Sequence, residues 1–175
     1  MDMHLDRWRE LLEQVQTGQL SVEEALSQLR DLPYEDLGFA RVDHHRALRR
    51  GFSEVVFCQG KTPEQAARIV AALAVRSPRV LATRCNPETA AAIREAVPHA
   101  EYYPVARAVI ISEQPIPEPP ADAPLVLVVA AGTSDLSVAE EALLTARVLG
   151  SRVELVADVG VAGLHRILSA RHKLH

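Results

Sequence analysis

Apolar positions along the chain recur in two rhythms, a helical one and a strand-like one, and together they predict an α/β protein. In residues 20–30, Val22, Ala25, Leu26 and Leu29 fall at i, i+3, i+4 and i+7 and give one apolar helix face. Ser21 and Glu24 form a Ser-x-x-Glu capping box at its start. Residues 1–36 are therefore expected to be two short helices. The pattern then changes: Val55-Val56-Phe57-Cys58 and Val80-Leu81-Ala82-Thr83 are short apolar strands, each followed by a helix start. Thr62-Pro63-Glu64-Gln65 supplies an N-cap, a proline at the first helical position and a capping-box glutamine; Asn86-Pro87-Glu88 repeats the device. Residues 102–111 supply a third extended stretch, broken by Pro104, and complete a small β-α-β-α-β unit over residues 37–111.

Residues 112–124, SEQPIPEPPADAP, carry prolines 115, 117, 119, 120 and 124. Proline fixes φ and removes a donor, so neither helix nor sheet should continue through them. This segment is expected to be a semi-extended linker spanning ~3 Å per residue. Beyond it, Leu125-Val126-Leu127-Val128-Val129 is continuously apolar, the pattern of a strand covered on both faces of a parallel sheet. A helix from Leu136 to Leu149 should follow, closed by Gly150 at the C′ position. Residues 153–157 form the next strand, and a last helix should run from Leu164 to about Lys173. Residues 125–175 thus read as the first β-α-β-α of a doubly wound parallel sheet, an incomplete domain. About 50 residues give too little buried surface for easy independent stability, so another part of the chain or a partner is expected to complete the sheet. An exposed strand edge also invites self-association.

Composition narrows the function. Of the 175 residues, 48% are hydrophobic and 24% charged, an ordinary globular balance, and the formal net charge is -4. Aromatics make up 4%, so the core must be aliphatic, and a base-stacking nucleic-acid surface is not expected. The start, MDMHLDRWREL, is charged and lacks the apolar run of a signal peptide. No window reaches the ~18 apolar residues needed to span a bilayer, so no membrane partner is expected and the cytoplasm is the expected location. Cys58 and Cys85 are the only cysteines; they make no disulfide framework and read as small buried residues near strand ends.

The residues that offer chemistry sit where open α/β sheets bind ligands, at the carboxyl ends of strands. Gly132-Thr133-Ser134-Asp135 stands between a strand and a helix N-terminus, whose unpaired N–H groups and partial positive charge suit a phosphate or carboxylate. Gly132 would let a backbone approach closely. The plainer alternative is that Ser134 or Asp135 simply caps the helix. In the next loop, Asp158-Val159-Gly160-Val161-Ala162-Gly163, Gly160 and Gly163 form a lone G-x-x-G. Asp158 should face Ser134 and Asp135, where two carboxylates would orient a hydroxyl pair or ligate magnesium, or Asp158 is a buried cap. In the basic stretch LGFARVDHHRALRRG, Arg41, His45 and Arg49 would line one face if residues 42–50 were helical, with Arg46 and Arg50 beside them. Such a face would meet an adenylate or pyrophosphate; otherwise it is solvated or ion-paired with the acidic residues 34–36. His165, His172 and His175 share a helical spacing, but no carboxylate or thiol accompanies them, and no metal site is read there.

VVAAGTSDLSVAEEA followed by VELVADVGVAGLHRIL resembles the core of the family related to aminoimidazole ribonucleotide carboxylase, which has a Gly-Ser-x-Ser-Asp loop after its first strand. Within it the chain looks most like the pyridinium-3,5-biscarboxylic acid mononucleotide synthases of nickel-pincer cofactor biosynthesis. FARVDHHRALRRGFSEVVFCQGKTPEQ is similar to their N-terminal domain. The likeness runs from about Leu37 to Ile167. The resemblance implies a carboxylase-like second domain. It also implies a reaction in which nicotinic acid adenine dinucleotide is carboxylated by CO2 or bicarbonate and its phosphoanhydride hydrolysed, with magnesium assisting, to the dicarboxylated pyridinium mononucleotide and AMP. Gly132, Thr133, Ser134, Asp135, Asp158, Gly160 and Gly163 would contact substrate. Two departures qualify it. The purine carboxylases carry Ser-Ala-His-Arg-Thr-Pro after the second strand, where this chain has Ala157-Asp158-Val159-Gly160, so the purine carboxylase or mutase alternative lacks its histidine. The synthases also continue past the last helix here, and their expected nucleophilic cysteine lies in that continuation, beyond His175. A truncated, impaired enzyme is thus expected, or else a non-catalytic nucleotide-binding remnant that needs a partner chain or a homo-oligomer.

Overall fold

A computed structural model describes residues 3–29, 34–44, 46 and 52–173, and the chain packs as two compact units, Met1–Glu54 and Val55–His175. In the first unit, helices α1 (Met3–Gln16) and α2 (Val22–Leu29) form a hairpin, with Leu11 and Ala25 buried. The Ser21 amide and hydroxyl donate to Glu24 Oε2 at 2.9 and 2.8 Å, and the Glu24 amide donates back to Ser21 Oγ at 3.2 Å, so the capping box forms. Strands β1 (Tyr34–Asp36) and β2 (Arg41–Asp43) pair antiparallel, with Asp36 opposite Arg41.

The second unit begins with β3 (Val55–Phe57), α3 (Pro63–Ala74), β4 (Arg79–Thr83), α4 (Pro87–Ala96), β5 (Glu101–Tyr103) and β6 (Ala108–Ser112). Both predicted helix starts are present. Thr62 and Gln65 exchange the two capping-box hydrogen bonds, and Asn86 Oδ1 accepts from the Thr89 amide at 2.7 Å. The sheet order is β3-β4-β6-β5, with β3 and β4 parallel and the other pairs antiparallel. The third extended stretch is therefore a hairpin rather than one strand of a parallel unit. Pro104 opens its turn, the Arg107 amide closes on the Pro104 carbonyl at 3.3 Å, and Arg107 takes a left-handed φ of 52°. A turn of this kind reverses the chain within four residues, which a parallel crossover cannot do.

Next come β7 (Leu125–Val129), α5 (Leu136–Val148), β8 (Arg152–Val156) and α6 (Leu164–Ser169), the last helix giving way to a 3-10 turn at Arg171–Lys173. Between β6 and β7 the chain carries neither helix nor strand, and Ile116 packs against the sheet's apolar cluster. Strands β7 and β8 pair parallel as a separate two-stranded sheet. Helix α5 crosses from one strand of that pair to the other, yet its Leu144 and Val148 pack into a cluster with Leu81, Ala106, Ala108 and Ile110 of the four-stranded sheet. Alternation then assigns Val80, Ala82, Val109 and Ile111 to the opposite face, toward α3 and α4. The sheet is thus covered on both sides. Two polar ties hold α5 in place. Arg79 Nη1 donates to the Val148 carbonyl at 3.0 Å, satisfying a last-turn acceptor, and Arg84 Nε pairs with Glu141 Oε2 at 2.6 Å. Gly150, at φ 85°, ends α5 at the expected position.

The expectation that β7 is covered on both faces does not hold. Leu125, Val126 and Val129 are exposed, because among the described residues their sheet has two strands and too few neighbours to bury a five-residue apolar run.

Candidate functional site

The carboxyl ends of β7 and β8 are drawn together by backbone. The Ala130 amide donates to the Val156 carbonyl at 2.9 Å, the Val159 amide to Ala130 at 3.3 Å, and the Gly160 amide to Ala131 at 2.8 Å. A Cβ added at Gly160 would lie 2.9 Å from the Ala131 carbonyl oxygen, closer than real Cβ contacts come, so this position needs glycine for space. Gly132, the residue expected to allow the close approach, has open room: the nearest atom to a Cβ there is Ser134 Oγ at 3.9 Å. The tight contact belongs to the second loop, and periodicity gave no sign of it because it depends on how the two strand ends meet.

After Gly132, Thr133–Asp135 forms a 3-10 turn that leads into α5, and Thr133, Ser134 and Asp135 are all exposed. Asp135 stands at the N-cap of α5, but its side chain makes no cap hydrogen bond to that helix. Asp135 instead turns back to accept from the Gly132 amide at 3.3 Å, and Ser134 Oγ donates weakly to Asp135 Oδ1 at 3.4 Å. Two hydroxyls and a turned-back carboxylate therefore line the start of the helix.

In the second loop Asp158 adopts a left-handed φ of 58°, a conformation that aspartate tolerates better than most residues. Its Oδ1 accepts from Arg166 Nη1 at 2.6 Å. Asp158 is thus exposed and ion-paired, so the reading of it as a buried cap fails. Arg166 was not singled out from sequence; the only signal was a basic residue on the helix following the loop, eight positions after Asp158. Gly163 is buried, and a Cβ there would meet Arg166 Nε at 2.7 Å, so a larger residue would push against the arginine that neutralises Asp158.

The basic stretch is arranged differently from the conditional helix. Arg41 and Val42 lie in strand β2, so Arg41 shares no helical face with the residues that follow. Strand pairing sets it opposite Asp36, and the two make an exposed ion pair at 3.7 Å. His44, the neighbour that sequence reasoning passed over, is half-buried with its side chain covered, and it bonds Glu35 Oε2 through Nε2 at 2.8 Å. Arg46 is exposed, while His45, Arg49 and Arg50 lie outside the described residues. Of the tail histidines, His165 is exposed on α6 and His172 Nδ1 lies 3.2 Å from the Ser169 carbonyl; His175 lies outside the described residues. Among the described residues no group of three or more His, Cys, Asp or Glu is placed to hold a metal, and no helix is long and apolar enough to cross a membrane.

A further groove lies elsewhere. A broad cleft of about 1220 Å³ runs between β5, the proline-rich segment and the end of α5, lined among others by His99, Glu101, Tyr103, Arg147 and Arg152. The Tyr103 hydroxyl donates to Glu101 at 2.8 Å, and that carboxylate acceptor pushes the phenol above its ordinary pKa.

Fold and loops together define a mixed α/β protein with a paired-loop crevice at the ends of two parallel strands. Residues 34–114, from β1 to just past β6, match the family model of the LarB/PurE-like N-terminal domain, which ties this part of the chain to carboxylase-related proteins. The uncharacterized protein MJ0165 of Methanocaldococcus jannaschii is 27% identical over 172 residues. That similarity covers 95% of this chain and 66% of the relative, so the chain spans just under two thirds of the protein it matches.

Proposed function

We propose that the chain serves nickel-pincer cofactor biosynthesis, gripping nicotinic acid adenine dinucleotide for carboxylation by CO2 or bicarbonate and hydrolysis to the dicarboxylated pyridinium mononucleotide and AMP. The observation that carries this reading is the Gly160–Ala131 closure, which sets the Gly-Thr-Ser-Asp loop beside the Asp-Val-Gly-Val loop at the ends of parallel strands. The match over residues 34–114 supports the choice of family. An anionic substrate suits the crevice's charge. Two free carboxylates would repel it, but Asp158 is paired with Arg166 and Asp135 is turned onto the Gly132 amide. The exposed Thr133 and Ser134 hydroxyls donate to a phosphate or carboxylate oxygen. With both carboxylates so engaged, magnesium is proposed to arrive on the substrate's phosphates, where it keeps most of its waters, and no step is routed through it.

The reaction calls for a cysteine adduct that makes the pyridinium ring nucleophilic. Cys58 and Cys85 are buried at the ends of β3 and β4, outside the crevice loops, and neither is assigned that role. The exposed β7–β8 sheet is proposed to take up further strands from a partner or a second copy, in the cytoplasm.

Calorimetry and product analysis on the purified chain test the reading. The dinucleotide should bind, Ser134→Ala with Thr133→Ala should weaken it about tenfold or more, and no dicarboxylated product should form with bicarbonate and magnesium. Absence of binding, or binding indifferent to both hydroxyls but sensitive to Arg147→Ala in the large cleft, would reject the crevice. Product formation would reject the assignment of the nucleophile elsewhere. Sedimentation of the same samples reads association, and a clean monomer at high concentration would count against the completed sheet.

A further inference from the structure

The two cysteines lie 27 positions apart in sequence, yet their sulfurs are 3.5 Å apart in the fold. Parallel pairing of β3 with β4 brings Phe57 alongside Thr83, and the next residue on the first strand is Cys58. Arg84 then takes a left-handed φ of 56°, which turns Cys85 toward Cys58 where a continued strand would carry Arg84 past it. Backbone fixes both positions: the Cys58 amide donates to the Thr83 carbonyl at 2.9 Å, and the Cys85 amide to the Arg107 carbonyl at 2.7 Å.

The pair is asymmetric. Cys85 is fully buried and donates its S–H to Cys58, whereas Cys58 keeps a sliver of exposure. Lys61, held with its Nζ 2.6 Å from the Phe57 carbonyl, puts a cation near Cys58. The Cys85 hydrogen bond and the Lys61 charge draw the Cys58 thiol below its ordinary pKa against the effect of burial, while the same hydrogen bond and burial push Cys85 up. Cys85 is therefore the proton donor and Cys58 the acceptor, the sulfur on which a thiolate is favoured, which is the division of labour of a resolving and an attacking thiol.

We propose that Cys58 and Cys85 are a redox-active dithiol, a modification site at which hydrogen peroxide closes an intramolecular disulfide between the ends of β3 and β4. The Cys58 thiolate attacks one peroxide oxygen; the O–O bond breaks, hydroxide leaves and takes a proton to become water, and Cys58 becomes a sulfenic acid. Cys85 sulfur then attacks Cys58 sulfur, forming the S–S bond and breaking the S–O bond, and the departing hydroxide leaves as water with the Cys85 proton. Two thiols and one peroxide give one disulfide and two waters, with two electrons passing from sulfur to peroxide. The sulfurs need to close by about 1.5 Å to reach bonding distance, within the reach of side-chain rotation. Peroxide is small enough to enter at the slightly exposed Cys58 side.

The test treats the folded full chain with stoichiometric peroxide, quenches it, and maps unreduced peptides by mass spectrometry. Both titratable thiols should disappear together, a cross-linked peptide pair joining Cys58 to Cys85 should appear, and dithiothreitol should restore the thiols. Cys85→Ala, a small change at a buried site, should leave Cys58 as a sulfenic acid that dimedone traps. Lys61→Met should slow closure several-fold and shift its pH profile upward without changing the product. Thiols that persist in the folded chain under peroxide that oxidises them in urea would overturn the proposal. So would a disulfide between chains, or an unchanged rate and pH profile in Lys61→Met.

Discussion

Strands β4 and β7 are similar five-residue runs, Arg-Val-Leu-Ala-Thr and Leu-Val-Leu-Val-Val, yet they end in opposite environments. From Val80 to Thr83, β4 is buried; in β7, Leu125, Val126 and Val129 are 37%, 43% and 47% exposed. The more apolar strand is the less buried one. Burial of β4 comes from what surrounds it: β3 and β6 on its edges, α3 and α4 on one face and α5 on the other. Among the described residues strand β7 has one neighbour, β8, and shares with it a helix whose Leu144 and Val148 pack on the other sheet. Apolar content states a strand's demand for cover, and tertiary neighbours decide whether the demand is met.

The sharpest way to break this comparison is truncation on each side. Ile93→Ala, under the four-stranded sheet, should cost about 2–5 kcal/mol in urea unfolding. Val126→Ala in β7 should cost less than about 1 kcal/mol. Equal costs would mean that β7 is covered in solution, by association or otherwise.

A smaller effect separates the two glycines of the crevice. Gly160→Ala forces a Cβ against the Ala131 carbonyl and should cost about 1–3 kcal/mol while loosening the loop pair. Gly132→Ala meets nothing closer than 3.9 Å and should be nearly neutral in thermal unfolding. Reversal of that order would show that the loops meet in some other way.

The smallest effect concerns pH at β8. Glu154 accepts from Lys173 Nζ at 2.9 Å, and that bond and charge hold its carboxyl below the ordinary value. A depressed folded pKa gives stability that is present above the unfolded value, near 4.5, and lost as pH falls through the lower folded value. Hydrogen exchange should therefore show the 3-10 turn at Arg171–Lys173 opening on acidification below that value, with the β4 amides unaffected. Early loss of β4 protection would contradict the ranking of the two sheets.

Helix starts and the end of α5 were legible because their signals are local. Thr62 with Gln65, Asn86 before Pro87, Ser21 with Glu24 and Gly150 at a positive φ each satisfy neighbouring backbone within a turn, and the structure places each as its residues specify. The strands were legible as apolar runs, and the paired loops as polar residues at strand ends. Strand direction was less so: β6 runs antiparallel because of a four-residue turn at Pro104 that reads in sequence only as a break. In the basic stretch strand pairing decided between the two readings: Arg41 answers to Asp36 across a hairpin, the ion-paired alternative, and shares no helical face with the residues that follow. Arg166, Gly160's contact and the cysteine pair were invisible, because each depends on residues brought together from separate segments.

The sequence by itself determined the α/β class, the helix caps, the aliphatic core and the polar loops after β7 and β8, all set by residues within a few positions of one another. Only the tertiary structure decided that α5 packs on the four-stranded sheet, that Asp158 is neutralised by Arg166, and that the sulfurs of Cys58 and Cys85 lie within 3.5 Å. Those outcomes turn on the mutual placement of strands and helices, which short-range propensity and hydrophobic period leave free.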